Sequence, residues 1–221
     1  MKESSWSAKT SRRVNYRHAT AHDVEAIAGL HADSWRRNYR GAYADAFLDG
    51  DVAADRLSVW RGRLTRPAHW NECTIVAECD GRVVGFAHTV LEEDPTWGAL
   101  LDNLHVKHDQ KSRGIGTQLM SETAHTVIVR TPGSGLYLWV LEGNKAAQAF
   151  YETRGGKCVG RESSETPGGG IVIGLRYVWP DPSLLLVDKF LMMTTEFAQM
   201  NPVAEGSIDR GSAPARPRTD R

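Results

Sequence analysis

Leu104-His105-Val106-Lys107-His108-Asp109-Gln110-Lys111-Ser112-Arg113-Gly114-Ile115-Gly116-Thr117 is the stretch on which the reading turns. A β-rich run ends at Val106. Behind it Ile115, Leu119, Thr123, Val127 and Ile128 mark the inner face of an amphipathic helix. Between the two lies K-x-x-G-x-G, from Lys111 to Gly116. Gly114 and Gly116 carry no Cβ, so the chain can turn sharply and a ligand can approach the backbone closely. The first amides of a helix have no intrahelical partner, and the helix dipole adds partial positive charge there. A pyrophosphate meets both demands, with Lys111 and Arg113 adding cationic contact. A Walker turn is excluded because Thr117-Gln118 follows Gly116, and a dinucleotide-binding turn needs a third glycine and an early βαβ unit. Alone, the turn predicts a phosphate-bearing carrier without saying which.

Moving outward, the period of the apolar residues alternates between helical and extended. A short strand over 12–18 precedes Thr20 and Asp23, a helix-starting cap, and the helix behind it carries Val24, Ile27, Ala28, His31 and Trp35 on one face. Gly41 interrupts it; a second helix over 53–64 ends before Pro67. Runs 73–79 and 82–90 are joined at Asp80-Gly81, a hairpin signal, and 99–106 completes a meander. After the central helix, 136–141 forms a strand, Asn144 opens a short helix bearing Ala147, Phe150 and Tyr151, and Gly155-Gly156 closes it. Two last strands, 157–163 and 171–178, flank a Pro-Gly-Gly-Gly turn at 167–170. The order predicts an α/β (mixed α+β) fold: one mixed, mostly antiparallel sheet of about seven strands with helices on both faces.

The second block, Leu138-Trp139-Val140-Leu141-Glu142-Gly143-Asn144-Lys145-Ala146-Ala147-Gln148-Ala149-Phe150-Tyr151-Glu152-Thr153-Arg154-Gly155-Gly156, supplies a strand, then Asn-x-x-Ala-x-x-Phe-Tyr and a glycine close. Together the two blocks resemble the GNAT superfamily of N-acetyltransferases, over roughly residues 14–178. The resemblance implies acetyl-CoA as acyl donor. It implies cofactor contacts from Leu104, His105, Val106, Lys111, Ser112, Arg113, Gly114, Ile115, Gly116, Thr117, Asn144 and Tyr151. It further implies a splay between the fourth and fifth strands that takes the pantetheine arm; the bulge such a splay needs is not announced by the sequence. Two positions depart from the family pattern. Lys111 stands where Gln or Arg is usual, and Gly156 where a bulky aromatic is common, which predicts looser packing around the second helix.

The same resemblance implies direct attack of an amine on the thioester. Tyr151 becomes the candidate general acid for the leaving thiolate, and an amide near Val106 the oxyanion donor. His105 is the best general-base candidate, its ordinary pKa lying near neutrality, with Asp102 and Asn103 as alternatives. Trp35, Tyr39 and Tyr43, with His88 and Trp97 and the acidic run Glu92, Glu93, Asp94, are candidate walls for the acceptor, a small-molecule or peptide amine: a small amine, an antibiotic amine, a peptide N-terminus or a protein lysine. A non-catalytic acetyl-CoA-binding module and another kind of nucleotide-binding α/β protein are the competing readings.

Lys plus Arg equals Asp plus Glu at 27 each, so net charge favours neither nucleic acid nor an anionic membrane as partner. No run approaches about eighteen apolar residues, and Met1 to Arg13 lacks the apolar stretch of a secretory signal, which makes the cytoplasm the expected location. Cys73, Cys79 and Cys158 show no C-x-x-C spacing, so no metal site is expected. The organisation expected is a flexible leader over 1–11, one acetyltransferase domain over 12–180, and a tail over 181–221. In that tail 184–200 has the pattern of an amphipathic helix and 204–221 the composition of disorder; a homodimer is compatible with this layout.

Overall fold

The computed structural model describes residues 13–67, 69–166 and 169–187. Seven strands form one sheet: β1 (Val14–His18), β2 (Glu72–Cys79), β3 (Arg82–Asp94), β4 (Gly98–Val106), β5 (Leu136–Leu141), β6 (Lys157–Glu165) and β7 (Ile171–Trp179). Their order is β1-β2-β3-β4-β5-β7-β6. Every neighbouring pair is antiparallel except β4 and β5, which run parallel. Among the described residues five α-helices accompany the sheet: α1 (Val24–Asn38), α2 (Asp45–Asp49), α3 (Val52–Leu64), α4 (Ile115–Arg130) and α5 (Lys145–Glu152). The expected mixed sheet is therefore present, with α2 as the one helix the apolar spacing did not signal.

Alternation along the strands divides the core between the two faces. On β2, Ile75 and Ala77 pack with Ile115, Leu119 and Val127 of α4, while Val76 between them packs with Ile27 and Ala28 of α1 and Trp60 of α3. Being covered on both sides is why residues 73–77 of β2 are buried without a break. Local chemistry sets the element ends. Thr20 and Asp23 form a reciprocal cap, and Asp80 and Gly81 both take positive φ, 51° and 71°, as a two-residue hairpin demands. The Thr20–Asp23 cap opens a single 3-10 turn, Ala21–Asp23, that feeds α1. Asp23 also accepts two hydrogen bonds from Arg17, at 2.8 and 2.9 Å, pinning the helix start to β1.

The glycine at 156 does not loosen the packing around α5 as the sequence suggested. The Trp179 ring from β7 fills that space, its Cζ2 2.6 Å from where a Cβ on Gly156 would stand, and its indole N–H donates to Arg154 O at 2.8 Å. The aromatic bulk is supplied from another strand. A Gly156→Ala substitution is therefore expected to cost about 1–3 kcal/mol, as overpacking does, readable as a lowered denaturation midpoint at unchanged m-value.

Beyond the sheet, the 3-10 turn Pro182–Leu185 packs on α4: Leu185 is buried and the Val187 amide donates to Ser121 Oγ at 2.9 Å. Residues 184–187 thus join a short turn and an extended end. The rest of the helix expected over 184–200, the leader over 1–11 and the polar stretch over 204–221 lie outside the described residues. No helix among the described residues is long and apolar enough to cross a membrane.

Candidate active site

β4 and β5 meet only at Ala99–Leu136 and Leu100–Tyr137. Beyond that point they part, and the space between them opens into a cavity of about 960 Å³ walled by residues 101–106 on one side and 138–141 on the other. The parting has an identifiable cause. Opposite β3, His88 pairs with Asn103 but Thr89 pairs with Leu101, so Asp102 is an extra residue in β4. A bulge of this kind bends the strand that carries it. Arg63 of α3 holds it, with Nη2 2.9 Å from Asp102 Oδ2 and Nη1 donating to Asn103 Oδ1 at 3.2 Å.

Past the bulge the Lys107 amide donates to Val84 O at 2.8 Å. Since main-chain groups alternate sides in an antiparallel ladder, those of Leu104 and Val106 face the gap, where β5 has moved out of reach. His105 between them turns its side chain toward α1.

At one end of the gap stands the first turn of α4. Its N-cap, Gly114, takes φ 80°, and no side chain caps the helix. Ser112 also has positive φ, 60°, so the loop bends at 112 and 114. Gly116 has a different reason to be glycine: a Cβ there would stand 3.3 Å from the Phe150 ring of α5. Lys111, Ser112, Gly114, Ile115, Gly116, Thr117 and Asn144 all line the cavity. Arg113 is not among its walls; it is exposed and bonds to Gln110. Arg154, which the motif reading passed over, does line it. Its guanidinium lies 3.6 Å from the Phe150 ring centre, donates to Phe150 O at 2.8 Å, and reaches Thr117 Oγ1, clamping α5 to the mouth of α4. Only the fold brings Arg154 here, because it falls after the end of the short helix and matches no spacing rule.

Residues 24–156 match the family described as "Acetyltransferase (GNAT) family". The chain belongs to that family. The uncharacterized N-acetyltransferase YuaI of Bacillus subtilis is 25% identical over 175 residues, covering 78% of this chain and 96% of YuaI. Among solved structures, the PaiA N-acetyltransferase of Thermoplasma acidophilum in complex with coenzyme A superposes with a TM-score of 0.53 at 16% identity, over 76% of this chain and 99% of that one. YncA of Salmonella typhimurium, a putative acetyltransferase solved with acetyl-CoA, gives 0.56 at 15% identity, over 76% and 93%.

In this GNAT chain the part of the cavity lined by α1 is aromatic and polar. Trp35, Tyr39 and Tyr43 cluster there with ring centres 5.0–5.5 Å apart, beside Ser34, Asn38, Asp102 and Asn103. Other expected wall residues are elsewhere. His88 is buried in the core, its Nδ1 2.8 Å from Thr74 Oγ1 and its ring edge-on to Trp60. Glu92, Glu93 and Asp94 belong to an extension of β3, and Asp94 Oδ1 accepts from the Thr96 and Trp97 amides, so this hairpin end and Trp97 stand apart from the cavity walls. A turn-forming Asp explains both the longer strand and the misplacement.

His105 lines the cavity and joins Ser34 Oγ through Nδ1 at 2.8 Å. Burial, with Lys111 and Arg56 nearby, pushes its pKa down to about 3. Tyr151 also lines the cavity; burial alone raises its pKa, so the hydroxyl keeps its proton. His88 is likewise pushed down by burial, to about 4, and His31 further in the same direction. The consequence for stability has a definite sign. Each folded pKa lies below the unfolded 6.5, so below that pH the unfolded chain binds protons the folded one refuses. Stability should fall as the pH drops from 6.5 toward 4, by up to ~1.4 kcal/mol per unit for each such histidine. Urea unfolding across that range measures it, and a flat profile would contradict the burial argument.

Proposed function

We propose that this protein is an acetyl-CoA-dependent N-acetyltransferase that passes the acetyl group directly to a primary amine of a small molecule or a peptide. The observation that carries the reading is the parted pair β4 and β5, with a cavity between them lined both by uncapped helix amides and by aromatic, hydrogen-bonding side chains. The residues present fit the donor. The first amides of α4 with Lys111 and Ser112 would hold the pyrophosphate, with Thr117 and Asn144 beside it. Leu104 and Val106 offer unpaired main-chain groups to an extended amide-bearing arm.

The bound thioester supplies an activated acyl carbon. The protein's part is to orient the amine against it and to manage two protons, so no covalent acyl-enzyme is required. The Val106 amide, facing the gap, polarises the carbonyl and stabilises the oxyanion. The ammonium gives up a proton before its nitrogen attacks. His105, neutral and hydrogen-bonded to Ser34, accepts that proton and passes it on to solvent, since it is too weakly basic to keep it. As the C–N bond forms and the C–S bond breaks, the Tyr151 hydroxyl gives its proton to the departing sulfur, and the second proton, lost by the amine nitrogen as it becomes an amide, returns the tyrosine to its neutral form.

Because His105 stays neutral through the working range, kcat/KM for the acceptor should rise with pH up to the acceptor's own pKa, with no inflection near 6.5. A pH–rate profile on any active amine checks this, and a break between pH 6 and 7 would remove His105 from the role. The defining experiment is an acetylation screen across amine classes with thiol release as the readout. Coenzyme A binding without acetyl transfer to any amine would make the chain a binding module.

A further inference from the structure

Behind His105, away from the cavity, lies a buried polar arrangement for which the chemistry above has no use. His31 of α1 and Trp60 of α3 are both fully buried. The Trp60 indole N–H donates to His31 Nδ1 at 3.0 Å. An indole nitrogen only donates, so His31 Nδ1 must be the bare acceptor and the single ring proton of the neutral imidazole must sit on Nε2. That Nε2 is buried and has no hydrogen-bond partner among the described residues. Placing an imidazole with an orphaned N–H in an aromatic core is unfavourable relative to an apolar ring of similar size. The bond satisfies the buried indole N–H and orphans the imidazole N–H in exchange, so fold stability gains little from the pair.

What His31 does touch is His105. The two ring centres are 4.6 Å apart with planes inclined by 37°, and Phe86 packs on both rings, 5.7 Å from His31 and 5.2 Å from His105. On its far side Phe86 is held edge-on by Trp60 at 5.0 Å. The His105 ring is thus bounded by two rings that each answer to Trp60, and its Nδ1 is taken by Ser34, itself a hydrogen-bond acceptor from Asn38 Nδ2 at 3.1 Å. The charged groups that act on the two rings are Arg56 and Arg63 of α3 and Lys111 before α4, Arg63 being ion-paired with Asp102.

We propose that His31, locked by Trp60, is a positioning residue for His105: it fixes the plane of the His105 ring so that Nδ1 meets Ser34 and Nε2 is presented to the cavity. The inference rests on the role given above to His105. The Trp60–His31 hydrogen bond prevents a ring flip of His31, and an unflipped His31 leaves the His105 ring one plane in which to sit.

The test is a Trp60→Phe variant, which keeps an aromatic ring against Phe86 while removing the N–H donor and part of the buried indole's volume. Its kcat should fall by about tenfold with KM for acetyl-CoA unchanged, the pattern of lost orientation rather than lost binding. In parallel, nitrogen-15 NMR of the histidine rings in the wild-type protein should show His31 neutral and protonated at Nε2, and the His105 signals should move in Trp60→Phe. A companion His105→Phe variant separates the two claims. If it turns over normally, the role of His105 is wrong; if it is impaired while Trp60→Phe has wild-type kcat, the positioning claim is wrong. Should Trp60→Phe fail to fold, the wild-type spectrum decides, since a proton on His31 Nδ1 would overturn the proposal.

Discussion

Acetyl-CoA at a hundredfold excess over its Kd should stabilise the protein by about 2.7 kcal/mol, roughly 5–10 °C in Tm for a chain of this size, and a Gly114→Val variant should show no such rise. Gly114 holds φ 80° as the N-cap of α4. A β-branched residue is a genuine outlier there, so valine would force the turn into another conformation and withdraw the first amides from the gap. Steric conflict with the rest of the fold does not enter, because a Cβ on Gly114 would meet nothing within 4 Å. The effect should therefore fall on ligand binding far more than on the stability of the free protein, and Gly114→Ala should lie between wild type and valine. Thermal-shift titration measures both quantities. A valine variant that responds to acetyl-CoA like wild type would show that this turn is not where the donor is held.

Tyr151→Phe is expected to bind acetyl-CoA normally yet lose turnover by about 10²–10⁴-fold, the range for a general acid. The ring packs against Phe150, Tyr177 and Trp179 at centroid distances of 5.4, 6.1 and 6.0 Å, contacts a phenylalanine preserves. Burial raises the hydroxyl's pKa. Stability should hold while kcat falls, read from thiol release alongside a melting curve. Normal turnover would reduce Tyr151 to a packing residue.

Much of the architecture was legible in the residues because its causes are local. Asp80-Gly81 tolerate positive φ and make a hairpin wherever they sit between strands; Asn144 caps α5, its side chain accepting from the Ala147 amide at 3.2 Å; the apolar spacing from Ile115 to Val127 draws one face of α4. The mouth of α4 could be read the same way, since a glycine before an amphipathic helix is a statement about backbone conformation. Distant contacts were invisible. Trp179, twenty-three residues beyond Gly156, fills the space that the glycine leaves, and Arg154 reaches the site only because α5 packs against α4.

The bulge at Asp102 shows where the division falls. Strand, turn and helix follow from the preferences of neighbouring residues, and those preferences are written along the chain. An unpaired residue in β4 depends instead on the register against β3 and on Arg63 arriving from α3 to hold the carboxylate, so no reading of β4 by itself contains it. The same holds for His105, whose ordinary pKa invited the role of a base. Its surroundings, assembled from α1, β3 and the loop before α4, disfavour the charged ring. Conformation near a residue is set by its neighbours in sequence, whereas strand separation and acidity are set by its neighbours in space.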